Sequence, residues 1–182
     1  MRTPSSGDDT PRPRSSDFGP DLVPPLPDPG GRTDEVLQAR RALEPVRRAL
    51  SDAGFYAYGT FDDQHRWMIA VDDEAGRIDV RLGPNGFLVE IWTSSPGLFA
   101  DEENDWRRRA RERLARMTIP AIARGQLEPH QSAWWDEVDH GVAVRLTYEI
   151  PFSRADEIGD FVRSKLPELE DLLSFVEGQV FS

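Results

Sequence analysis

The 182-residue chain contains no cysteine. Disulfides, thiolate zinc sites and cysteine nucleophiles are excluded together, and the absence fits a reducing compartment. Long apolar runs are missing as well; nothing approaches the roughly 20 residues that a bilayer-spanning helix needs. The opening stretch MRTPSSGDDTPRPRSSDFGP lacks the apolar segment of a secretory signal. These absences lead to the expectation of a cytoplasmic protein with no membrane partner. Positive charge is scarce: 22 Lys and Arg face 33 Asp and Glu, for a formal charge of −11. Such a chain repels phosphate at long range, which weighs against a nucleic-acid partner, and it favours solubility. Walker A loops, glycine-rich dinucleotide turns, HExxH pairs and GxSxG elbows are also missing. The expectation is a protein without catalytic residues and without a cofactor.

Residues 1–32 hold eight of the fifteen prolines, with four Arg against five Asp. A segment of that composition buries too little apolar surface to offset its ordering entropy, so it reads as a disordered tail. Within it, Leu22-Val23-Pro24-Pro25-Leu26-Pro27 has the make-up of a polyproline II ligand, although its composition fits a plain flexible leader better.

Residues 33–182 read as one domain. Its centre is FYAYGTFDDQHRWMIAVDDEAGRIDVRLGPNGFLVEIWT, residues 55–93, where apolar and polar residues alternate at period two between turn-forming clusters. In residues 77–82, Ile78, Val80 and Leu82 share one face and Arg77, Asp79 and Arg81 the other. Four strands are predicted, at about 55–60, 65–72, 77–82 and 87–93. A helix is predicted to precede them, from Thr33 or Asp34 to Gly54, kinked or restarted at Pro45. A second helix is predicted from Asp101 to Met117 with Trp106, Ala110, Leu114 and Met117 as its buried stripe, broken at Thr118-Ile119-Pro120. Residues 133–138 and 142–150 then form a hairpin around Asp139-His140-Gly141. The closing helix opens at Ser153 and restarts at Pro167. The order is α-β-β-β-β-α-β-β-α, an α+β fold in which an antiparallel sheet of meander plus hairpin packs with three helical segments.

Two histidines sit in acidic turns: His65 after Asp62 and Asp63, and His140 beside Asp136, Glu137 and Asp139. Turn chemistry accounts for such aspartates, yet both histidines in one site would suit a metal-dependent hydrolase. The arginines of 107–116 lie on nearly every side of their helix and lack interleaved aromatic platforms. That fits a solvated, ion-paired helix better than a grip on nucleic acid or on an acidic partner segment. Five tryptophans remain. Trp67 and Trp106 fall on predicted core stripes. Leu88 and Trp92 lie opposite the core face of their strand, and one of Trp134 and Trp135 must do the same, since neighbours on a strand point to opposite faces. Tryptophan on a second sheet face marks a candidate binding surface, so Leu88, Trp92, Trp134 and Trp135 are the candidate partner-binding residues.

VRRALSDAGF leading into the meander, and WWDEVDHGVAVRLTYEIPFS leading into the final helix, resemble the YbjN-like and type III secretion chaperone superfamily over residues 34–177. The meander here has four strands where three are usual. The resemblance implies a non-enzymatic module, often a homodimer, that holds an extended peptide or a partner protein. An immunity-type protein that neutralises a toxin would share the same acidity and aromatic patch.

Overall fold

Period-two alternation builds six antiparallel strands: β1 (Ala57–Phe61), β2 (Trp67–Asp73), β3 (Gly76–Leu82), β4 (Gly86–Ser95), β5 (Gln131–Asp136) and β6 (Gly141–Pro151). They form one sheet in the order β1-β2-β3-β4-β6-β5. The structure, a computed structural model, describes residues 29–181. The part of the predicted tail that runs to residue 28, with its Leu22–Pro27 cluster, lies outside the described residues. Helices α1 (Pro29–Asp52), α2 (Asp105–Gly125) and α3 (Ile158–Phe181) complete the fold, the last preceded by a 3-10 segment at Phe152–Glu157. This is the predicted α+β class and element order.

All three helices pack on one face of the sheet. Ile69, Val71, Ile78, Val80, Val89, Ile91, Val144 and Leu146 from the strands meet Leu43, Val46 and Leu50 of α1, Ala115, Ile119 and Ile122 of α2, and Ile158, Val162, Leu169, Leu172 and Val176 of α3 in one buried cluster. Each fully buried aliphatic side chain contributes roughly 1.5–3 kcal/mol of transfer free energy. β4 and β6 pair over ten residues, from Gly86 opposite Pro151 to Ser95 opposite Val142, and form the spine. The β5–β6 hairpin is therefore inserted with its second strand inward, leaving β1 and β5 as the sheet edges.

Several local expectations are corrected. α1 begins at Pro29, earlier than predicted, and does not restart at Pro45; α2 runs through Pro120, and α3 through Pro167. A proline removes one amide donor from a helix, and the packing of the neighbouring turns holds each helix together across that gap. The start of α2 is Asn104, whose side chain accepts hydrogen bonds from the Trp106 and Arg107 amides. Its buried stripe is Ala115, Ile119 and Ile122. Trp106, Leu114 and Met117, predicted as core, are 76%, 57% and 69% exposed. Both stripes satisfy helical spacing, so periodicity alone does not choose between them.

Candidate functional site

Among the described residues, the opposite face of the sheet carries no helix. Register puts Tyr58, Ala70, Asp79, Glu90 and Thr147 in one row across five strands, and Arg77, Trp92, Arg145 and Ser132 in another. A groove of about 510 Å³ lies on this face, between Asp62 and Arg66 at one side and Trp134 and Asp136 at the other.

Two chains of charge cross the groove. In the first, Tyr58 Oη donates to Asp72 at 2.5 Å, Arg77 bridges Asp72 at 3.1 Å and Asp79 at 2.9 Å, and Trp92 Nε1 donates to Asp79 at 3.2 Å. In the second, Arg66 pairs with Asp62 at 2.8 Å, Arg81 with Glu90, and Arg145 with the other oxygen of Glu90 at 3.1 Å. The Arg145 guanidinium then lies 5.5 Å from the Trp134 ring centroid, within cation–π range. Burial raises the Asp62 carboxyl, but hydrogen bonds from Arg66 and the Gln64 amide outweigh it and hold the group below the usual carboxylate range. Partial burial lowers Arg77, and the hydrogen bond to Asp79 overcomes that to hold it above its ordinary value. Cross-strand pairs of this kind fix side-chain positions more than they add stability.

Among the predicted site residues, Leu88 and Trp92 lie on this face, half-buried, and Trp134 is 36% exposed at the groove wall. Trp135 is a correction: it turns to the core, 8% exposed, and stacks on Phe99 with ring centroids 6.1 Å apart. The face is also less apolar than its tryptophans suggested, because Arg77, Asp79, Arg81, Glu90 and Arg145 occupy its centre. Alternation showed the first three; their partners come from other strands and become visible only through register.

His65 and His140 do not meet. Each has a left-handed φ, 59° and 50°, a conformation tolerated in turns. Register places the two turns at opposite ends of the strands, His65 beside the end of β3 and His140 beside the end of β4. Among the described residues, no group of three or more His, Cys, Asp or Glu is arranged to hold a metal.

His130 has a partner that sequence proximity could not show. On the helical side of the sheet, Glu168 of α3 accepts from His130 Nε2 at 2.7 Å, Lys165 Nζ at 2.8 Å and Tyr148 Oη at 3.2 Å. Burial pushes the Glu168 carboxyl up, but the hydrogen bonds from Lys165, His130 and Gln131 and the Lys165 charge outweigh it and hold the group at about 2. The cluster ties α3 to β6 and to the start of β5.

The fold and groove define an α+β protein with a one-sided helical layer and an open, charged and aromatic sheet face. Compared with known proteins, the chain matches no family model, no curated protein and no solved structure. No helix among the described residues is long and apolar enough to cross a membrane.

Proposed function

We propose that the protein is a non-enzymatic binding module that holds a segment of a partner protein on its open sheet face. The observation that carries this reading is that all three helices lie on one side, which leaves Leu88, Trp92 and Trp134 on the other beside a preformed groove. Trp134 offers an exposed indole at the wall, next to the free edge of β5. An extended segment can pair with that edge and lay a side chain against Trp134. Because the central charges are already paired, they present a fixed pattern of donors and acceptors with little further ordering needed on binding. The resemblance in element order to the YbjN-like and type III secretion chaperone superfamily supports a chaperone or adaptor role. A toxin-neutralising role uses the same face and differs only in what is held.

The test is affinity capture of the full chain from its native cells after mild crosslinking, beside Trp92→Ala and Trp134→Ala variants. One stoichiometric protein, lost from the Trp134→Ala sample while that variant remains folded, supports the reading. Undiminished capture by both folded variants removes this site from consideration.

A further inference from the structure

We propose that the outward face of α2 is a second binding surface and that its occupant is an acidic amphipathic helix of a partner protein. This inference does not rest on the open sheet face. Helix α2 carries a second apolar stripe opposite its buried one: Trp106, Ala110, Leu114, Met117 and Ala121. At about 100° per residue these five positions fall within an arc of roughly 80° and form a ridge about 22 Å long. Trp106, Leu114 and Met117 are each more than half exposed.

The charges around the stripe identify the occupant. Three arginines turned away from the ridge have acidic partners: Arg108 pairs with Asp105, Arg111 with Glu102, and Arg116 with Glu137; Arg109, also turned away, has none among the described residues. Arg107 on one flank, Arg113 on the other and Arg124 at the far end are exposed and form no ion pair among the described residues. Unpaired cations beside an apolar ridge call for acidic groups brought from outside. A second copy of this chain would place the same unpaired arginines against each other across a two-fold axis, which like-charge repulsion opposes. An extended anionic lipid surface would meet Glu103 at the Trp106 end as well as the net negative charge. A helix with apolar residues at i, i+3, i+4 and i+7 between glutamates matches the width of this ridge and about half its length, and its acids can face the flanking arginines.

The probe is a fluorescein-labelled synthetic peptide with leucine at those four positions and glutamate on both flanks, paired with a twin carrying lysine for glutamate. Titrated with the full chain, the glutamate peptide is expected to show a saturable rise in anisotropy that weakens with salt, while the lysine twin shows none. Leu114→Glu, and separately Arg107→Glu with Arg113→Glu, should each weaken binding by about tenfold or more, as loss of an interface anchor does. Trp134→Ala should leave it unchanged, which separates this surface from the sheet groove. Leu114 is exposed, so circular dichroism of the variant should match the parent. Four outcomes would overturn the proposal: no binding of the glutamate peptide, equal binding of both peptides, binding indifferent to Leu114→Glu, or a homodimer in ultracentrifugation that Leu114→Glu dissociates. Preference for phosphatidylglycerol vesicles over the peptide would overturn it too, in favour of a lipid surface.

Discussion

Replacing Glu168 with glutamine should remove about 2 kcal/mol of folding stability at neutral pH, because the carboxylate is the acceptor on which His130, Tyr148 and Lys165 converge. The magnitude follows from its titration. The group is lowered from an ordinary value of 4.5 to about 2, and each pH unit of displacement corresponds to roughly 1.4 kcal/mol, so about 3 kcal/mol is the ceiling. Its side chain is 28% exposed, and solvent screening trims that figure. The amide keeps one acceptor oxygen but loses the charge that draws Lys165. The sign is set by the lowered value: between pH 4.5 and about 2 the unfolded chain binds a proton that the folded chain does not. The contribution is therefore complete above 4.5 and disappears as pH falls towards 2. Urea unfolding followed by tryptophan fluorescence, at neutral pH and in steps down to about pH 3, measures both effects. The parent should lose part of its advantage over the variant as the pH drops. Equal stability at neutral pH, or a gap that does not narrow in acid, would refute the role assigned to this cluster.

The adjacent tryptophans should separate in a melt: Trp135→Ala is expected to cost about 3–5 kcal/mol as a core truncation, and Trp134→Ala less than about 1 kcal/mol. Trp106→Ala should likewise leave stability nearly unchanged, because that ring is 76% exposed. Gly159 marks a close approach of α1 and α3: a Cβ there would lie 2.2 Å from the Ala49 carbonyl oxygen and 2.7 Å from the Ala53 Cβ. Gly159→Val should therefore destabilise by about 2–3 kcal/mol or more through overpacking, seen as a lower urea midpoint.

The sequence made the sheet legible because alternation at period two is a strong signal where one face is buried, as the separation of Ile78 and Val80 from Arg77, Asp79 and Arg81 illustrates. Element order followed from the turns. Alternation along one strand does not reveal its neighbours, so the ladder from Asp62 through Arg81 and Glu90 to Arg145 could not be read before β4 was seen to pair with β6. Helix α2 went the other way. Its two stripes have the same spacing, and the one with the larger side chains, Trp106, Leu114 and Met117, is the one facing out. Pro120 was read as a break, Pro45 as a kink or restart and Pro167 as a restart, because local propensity disfavours proline in a helix; tertiary packing carries each helix through. Trp134 and Trp135 were known to oppose each other, but which of them faced the core depended on the register with Ala143 and Val142.

The open sheet face is the central claim, and a photo-crosslinking residue placed at Trp134 of the full chain tests it most directly, with the same residue at Leu37 on the helical side as the control. In its native cells, one discrete adduct formed from position 134 and absent from position 37 is the result expected of a partner held in the groove. Adducts of equal kind and yield from both positions, or none from 134 while 37 reacts, would contradict it.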